Sequence, residues 1–587
     1  MPFWGVSVVA VLLGLVLFVW DLGSIGLVDE TPPLFAASAR TMAETGDWLI
    51  PQVNGLPRYD KPPLVYWLMA ALYSLPGQRL WDPWGSWSAG LPSALASGST
   101  LVLLCLLTAC WERRVLGEPQ GLWLVAGLLY GLSPLVILWS RIGVSDSLLT
   151  ALVALAMVSS WCAFISMRVP WWLCWLALGL ATLTKGPVAL VLFGLCWAGY
   201  ALLEQNASRV WQRLHPLQGV LVSLVVAAPW YLVAFLREGT PFVESFFGYH
   251  NLQRFTQVVN RHASPWWFYG AMLLVASLPW SPLVLLGLWR GLRRGQSLPR
   301  FAACWLLAVL LLFSLSATKL PSYWLPATPA AALLAVSVLS QRGDAAVRWC
   351  VRMGACVALA VGVGMATAPM WLSLIRDPDL FNLPQLLDRS LVFPIAAALL
   401  VPGGLMALWL SASNRHVWPS APVVAVQFSW LLLLPAVFLP LLRIGDGLRS
   451  QPIRTLALRA QAVQGASQTS GEPIAMLGLV RPSFHFYSRA PIAYEGTSAQ
   501  ALVQLSHRLR HEPRVRVPQQ SRRILVAAPL PLEQHRHWAA LLSPRVDQQG
   551  RFGLWWLDLT RLDRKAQLLQ QRQGLKPTWQ EPRPERF

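Results

Sequence analysis

Residues 29–67 read DETPPLFAASARTMAETGDWLIPQVNGLPRYDKPPLVYW, and the charges in this stretch sit in a chain that is otherwise oily. Of 587 residues, 55% are hydrophobic and 13% charged, with a mean hydropathy of +0.48. A soluble globular protein of this size does not have that balance. The stretch follows an apolar run, Phe3 to Trp20, that has no basic leader and no small-residue cleavage site, so it reads as a retained helix. Apolar segments long enough to cross a bilayer, about 20 residues each, recur as far as residue 442. Thirteen are expected, among them 3–20, 119–139, 146–166, 170–184, 186–203 and 266–289. The fold class is therefore a polytopic α-helical membrane protein, and the 32 Trp suit interfacial belts.

Charge bias orients the spans. Loops after the even-numbered segments are short and basic, with Arg113, Arg114, Arg168, Arg209, Arg213, Arg290 and Arg300 among their residues. Such loops face the cytoplasm. The N-terminus is then inside, and an odd number of spans leaves everything after residue 442 outside. Mixed charge collects in the loops of the opposite, outer face. The formal charge of +20 belongs with this topology and with headgroup contact, and nucleic acid is a poor fit as a partner. All 8 Cys lie in or beside apolar segments, as small core hydrophobes.

The first outer loop, 21–87, is too long for a simple connector. Thr31 can cap a helix that has Pro32 at its first position and ends at Gly46, with Leu34, Ala37 and Met42 on one apolar side. This predicts an amphipathic helix lying on the surface, followed by a second short one from Leu64. Asp29 and Glu30 precede the first helix. They either favour its N-terminus electrostatically or include a general base, with Asp29 at a half-dry boundary.

Arg58, Tyr59, Asp60 and Lys61 then meet two prolines, which hold Lys61 extended. Neighbouring extended side chains point to opposite faces, so Asp60 and Lys61 are expected to serve different partners. Arg141 and Asp146 flank the turn in SRIGVSDSLL, where Asp146 could also cap a helix. Lys185 in TLTKGP and Lys319 in SATKLPSYWLP are each the only charge between two apolar stretches, which is costly without a partner or an interface. Lys61, Lys185, Lys319, Arg58, Arg141 and Arg254 on one face point to a phosphate held where lipid meets water. Asp60 with His250 would make a workable ligand pair for a divalent metal cation such as Zn, Mg or Mn.

The opening stretch resembles the first outer loop of the lipid A aminoarabinose transferase family and the related protein O-mannosyltransferases. These are polyprenyl-phosphate-dependent glycosyltransferases of the GT-C fold, found in the bacterial inner membrane. The likeness continues through LPSALA, SRIGVSDSLL, LATLTKGPVAL, FFGYHNLQRF and FSLSATKLPSYWLPATPA, over about residues 20 to 335. It implies inverting transfer of a sugar from a polyprenyl-phosphate donor to a lipid, glycan or protein acceptor outside the cytoplasm. Matched by motif, Asp29 would be the base, and Asp60 with His250 would hold a metal near the donor phosphate. Lys61 and Arg58 would bind that phosphate, and Tyr323 would lie by the donor lipid. A transporter of polyprenyl-linked lipid is the alternative from another class, but it would carry its charges near the bilayer midplane.

Three regions are expected: a transmembrane catalytic domain over 1–442, an extracytoplasmic α/β domain over 443–574, and a disordered tail over 575–587. The second has strand-like runs PIAMLGLV, RILVAAP and FGLWWLDLT. From Arg443 onward there are 22 Lys and Arg against 10 Asp and Glu, a basic surface suited to anionic headgroups or an anionic acceptor.

Overall fold

The computed structural model describes residues 3–579 apart from 118–119, 260–262, 295–296, 342, 376–379, 381, 413–419, 468 and 470. Helix occupies each of the thirteen apolar segments. Among the described residues eight helices are long and apolar enough to cross a membrane, or nine with one bent pair counted as a single span. Phe3–Val19, Leu122–Gly131, Trp172–Lys185 and Val188–Glu204 are apolar but shorter. Each expected segment is helical, but the expected count of thirteen spans is not confirmed among the described residues.

Proline explains two of the departures. The third segment stops at Gly131 and restarts as Pro134–Trp139, because Pro134 offers no N–H to continue the helical ladder. The eighth is a pair, Phe268–Ala276 and Ser281–Arg293, bent by 114° across a break that contains Pro279. The last apolar helix runs Ala421–Arg449, past the expected boundary at 442, and the chain re-enters helix at Gln451–Ala466. The change to polar composition at 443 is therefore not a break in the secondary structure.

Beyond it lies the expected α/β unit, a five-stranded sheet. A short hairpin in the first outer loop, β1 (Gln52–Val53) and β2 (Leu56–Pro57), precedes it. The sheet comprises β3 (Ile474–Leu477), β4 (Ile492–Glu495), β5 (Arg523–Pro529), β6 (Asp547–Gln549) and β7 (Phe552–Asp558) in the order β4-β3-β5-β7-β6. β3 pairs parallel with β4 and β5, while β7 is antiparallel to β5 and β6. Side chains alternate across a strand, and here both faces are covered, by different partners. Ala475, Leu477, Val526 and Trp555 pack with the unit's own helices, through Leu502, Leu509 and Leu562. Ile474, Met476, Leu525 and Leu554 share a core with Leu34, Phe35, Tyr66 and Met69 of the first outer loop.

That shared core corrects the expectation of a surface-lying helix. Thr31–Thr45 is a helix ending on left-handed Gly46 (φ 75°) as read, but it starts at Thr31 with no side-chain cap, and every residue from Pro33 to Arg40 is buried. Polar contacts tie the same layers together. Arg40 donates to the Phe486 carbonyl at 2.7 Å, and the Leu27 N–H donates to the Tyr487 hydroxyl at 2.9 Å. Asn54 exchanges two bonds with the Ile492 backbone, donating from Nδ2 at 3.0 Å and accepting at Oδ1 at 2.9 Å. The start of the expected tail is docked too: Trp579 Nε1 donates to His507 Nδ1 at 2.8 Å, while 580–587 lie outside the described residues.

Replacing Asn54 by Asp keeps a residue tolerant of its left-handed φ of 53° but turns an acceptor toward the Ile492 carbonyl. The expected cost is about 2–3 kcal/mol. It should appear as a lower Tm in detergent and as earlier protease cleavage within the C-terminal unit.

Candidate active site

The outer-face charges are delivered by the β1–β2 hairpin. Its two-residue loop, Asn54 and Gly55, has both φ values positive (53° and 73°), the geometry that matches the twist of paired strands and that an Asn-Gly pair favours. The hairpin turns the chain back, so that residues 58–61 run inward in a bend before Pro62. Because the backbone bends there, Asp60 and Lys61 do not splay as expected. Lys61 Nζ donates to Asp60 Oδ1 at 2.6 Å and to the Asp60 carbonyl at 2.8 Å. The opposite-face rule needs an extended backbone, and a four-carbon lysine stem can fold back where that fails.

Asp60 is the hub. Its Oδ2 accepts from Arg58 at 2.8 Å, and near its Oδ1 lie His250 Nδ1 at 2.9 Å and an Arg254 amino nitrogen at 3.7 Å. Burial alone would raise its pKa, but Lys61, His250 and Arg58 outweigh burial and hold the carboxyl well below its usual range. Lys61 is lowered to about 8, chiefly by burial and further by Arg254 and Lys185, against the pull of Asp60. Burial likewise pushes His250 down.

A second pair stands opposite. Lys185, at the end of Trp172–Lys185, donates to Asp146 Oδ1 at 2.6 Å, with its ammonium 4.8 Å from the Tyr323 ring centroid. Asp60, Lys61, Lys185, His250, Arg254 and Tyr323 together line a cavity of 440 Å³ whose other walls are apolar, with Val188, Val191, Phe247 and Phe313 among them. A cationic end and an apolar end in one chamber match an amphiphile with an anionic head. Lys61, Lys185 and Arg254 outnumber the carboxylate that lines this chamber, so an added phosphate would relieve repulsion as well as form hydrogen bonds.

Asp29 is elsewhere. With Glu30, Arg141 and Asp146 it lines a neighbouring cavity of 420 Å³, and the two chambers have Ser322 as a common wall residue. Burial raises the Asp29 pKa despite two hydrogen bonds from Ser483, one from its N–H to Oδ1 at 2.9 Å and one from its hydroxyl to Oδ2. The expected single phosphate cluster therefore divides. Arg58 stands behind Asp60, with Nε on the Tyr66 hydroxyl at 3.2 Å. Arg141 donates to the Leu17 and Trp20 carbonyls at 3.1 and 2.8 Å. Lys319 donates to the carbonyl of Ser316, a wall residue of the first chamber, at 2.6 Å without itself lining it, and Tyr59, also not a lining residue, donates to Glu238 at 2.5 Å. Sequence reasoning missed Ser483 entirely, whereas the Asn-Gly turn was a readable signal.

Among the described residues no three His, Cys, Asp or Glu side chains gather as a metal site. Asp60 and His250 supply two ligands, and both His250 ring nitrogens are buried without a well-formed hydrogen bond. A divalent ion held by this pair would have to take its remaining ligands from a substrate phosphate.

Residues 60–232 match the family model described as dolichyl-phosphate-mannose-protein mannosyltransferase, and 467–573 match the C-terminal domain of cyanobacterial RgtA-type glycosyltransferase. In fold the chain is similar to the crystal structure of ArnT from Cupriavidus metallidurans bound to undecaprenyl phosphate. The TM-score is 0.73 at 22% identity, covering 94% of this chain and 97% of that one. An undecaprenyl phosphate-alpha-4-amino-4-deoxy-L-arabinose arabinosyl transferase of Pseudomonas fluorescens is 30% identical over 444 residues, 74% of this chain and 71% of the relative. The chain belongs to that transferase family. A Pseudomonas aeruginosa member is 32% identical over 422 residues, 70% of this chain and 71% of its own. This aminoarabinosyl transferase relative is thus a multi-pass membrane glycosyltransferase of the GT-C class that uses a polyprenyl-phosphate donor. That rules out the transporter alternative.

In this transferase, Lys61→Met removes a cation at the wall of the 440 Å³ chamber. Turnover per bound donor is expected to fall by roughly 10²–10³-fold, with weaker binding of undecaprenyl phosphate by calorimetry. Arg141→Met should change both by less than about 3-fold if its carbonyl contacts are its whole role.

Proposed function

We propose that the enzyme moves a 4-amino-4-deoxy-L-arabinosyl group from undecaprenyl phosphate to a protonated oxygen, a hydroxyl or a P–OH, of a lipid A-like acceptor on the extracytoplasmic face. The donor is the one for which the two Pseudomonas relatives are named. The observation that carries this reading is the pair of adjoining chambers, one cationic and apolar, the other carrying a buried carboxylate. The donor's prenyl chain would lie along the apolar walls, its phosphate against Lys61, Arg254 and Lys185. Asp29 would take the proton of the acceptor oxygen as that oxygen attacks the anomeric carbon, and the phosphate would leave from the opposite face, with inversion.

Negative charge grows on the departing phosphate, and lysine and arginine already in position stabilise it without reorganisation. A divalent ion, when held by Asp60 and His250, would supply further charge to that phosphate. Asp146, which lines the second chamber, keeps Lys185 in place at 2.6 Å. The basic short loops support an inner N-terminus and an outer C-terminal unit. A protein hydroxyl as acceptor is the second reading, favoured by the mannosyltransferase model over 60–232.

The deciding assay supplies purified protein in lipid with undecaprenyl phosphate-linked aminoarabinose and either lipid A or a Ser/Thr peptide. Transfer to lipid A alone is expected. Asp29→Asn should lower turnover by roughly 10²–10⁴-fold while leaving donor binding intact, and full activity in that variant would remove Asp29 as the base. Metal content that stays the same in Asp60→Asn and His250→Ala would remove the ion.

A further inference from the structure

Asp29 is reached from the C-terminal unit. Ser483 opens the short Pro482–Ser488 helix and gives both of its donors to one carboxylate, the N–H to Oδ1 and the hydroxyl to Oδ2. Ser483 is itself fully buried. The helix that carries it is held independently, by Arg40 on the Phe486 carbonyl at 2.7 Å and by the Tyr487 hydroxyl, which donates to the Trp84 carbonyl at 3.1 Å. A carboxylate has about four acceptor positions. Two taken by Ser483 fix its plane and leave two for a substrate hydroxyl in the cavity that Asp29 lines.

We infer that Ser483 is a positioning residue for the glycosyl transfer, orienting the Asp29 carboxylate toward the acceptor and keeping it ionised. The inference rests on the reading of Asp29 as the base. It gives the C-terminal unit a part in the reaction, through one side chain, beyond any contact its basic surface makes with lipid. Ionisation matters because Asp29 is 7% exposed and burial opposes its charge. The other groups near it are Arg481 and Arg449, which favour the charged form. Tyr494 comes from β4, and Glu30, Asp21, Arg141 and Asp146 share the cavity wall. The hydroxyl of Ser483 is the closest neutral donor among these, so its loss is felt in the protonation of Asp29 before anything else.

A base works deprotonated, and removing a hydrogen bond to its charged form raises its pKa, so activity is lost first at low pH and returns as pH rises. In Ser483→Ala the backbone N–H still donates, and only the hydroxyl bond is missing. With undecaprenyl phosphate-linked aminoarabinose and lipid A as probes, the acid limb of the kcat profile should move up by about one unit, with donor KM changed less than about 2-fold. On that limb kcat is expected to fall about 10-fold, and the deficit should close as pH rises onto the plateau. Ser483→Thr, which keeps the hydroxyl, should restore kcat to within about 3-fold. In Asp29→Asn, adding Ser483→Ala should cost nothing further.

A deficit that is the same at every pH, or a double variant slower than Asp29→Asn alone, would overturn the positioning role while leaving Asp29 as the base. An active Asp29→Asn would instead remove the base, and the role of Ser483 with it. A matching Tm for Ser483→Ala and the parent excludes loss of fold as the cause, and a fall in Tm with a flat pH profile counts against the inference.

Discussion

One buried carboxylate among several cations sets the terms for the site. Asp60 is 7% exposed and has Arg58, Lys61, His250 and Arg254 gathered about it. Removing such a charge from water is costly unless partners replace the lost solvation, so the carboxylate and its cations must be brought in together. The Asn54-Gly55 hairpin and the bend after it achieve this from one short segment, while His250 and Arg254 arrive from the loop before the bent helix pair. The cations exceed the anion they surround, and that excess makes the chamber receptive to a phosphate. The same electrostatics fixes the geometry and selects the ligand.

A second constraint comes from apolar surface. The C-terminal sheet has two inward faces, and its own helices cover one. The other is completed by Leu34, Phe35, Tyr66 and Met69 of the first outer loop. The loop that carries Asp29 and Asp60 is therefore a layer of a continuous core between the bundle and the sheet. A buried layer holds its side chains to a narrow range of positions, including the carboxylates of Asp29 and Asp60 in their separate cavities.

Much of this was readable from residues alone, for identifiable reasons. Long apolar runs between charges give helices almost irrespective of context, so all thirteen segments appear. Isolated lysines in oil signal a partner, and Lys185 has one in Asp146. What was lost depended on local bends and distant contacts. The pairing of Asp60 with Lys61 reverses a rule that holds only for extended backbone, and Pro134 and Pro279 shorten or bend helices that hydropathy counts as continuous. Alternation in PIAMLGLV shows that a strand has two faces, but it does not say that one of them would meet residues 34 to 69. For the same reason, nothing near Asp29 in sequence could point to Ser483, and the split of the charged residues between two cavities was invisible.

The distance between those two partners has a consequence for how the protein is made. Asp29 precedes Ser483 by 454 residues, so during synthesis the carboxylate is in place long before the serine exists. The two chambers can take shape as the helices insert, one after another. Asp29 lacks its Ser483 partner until the C-terminal sheet has closed over the loop. Membrane insertion and sheet folding are thus successive stages of assembly, and Asp29 gains its hydrogen bonds from Ser483 only when the second is complete.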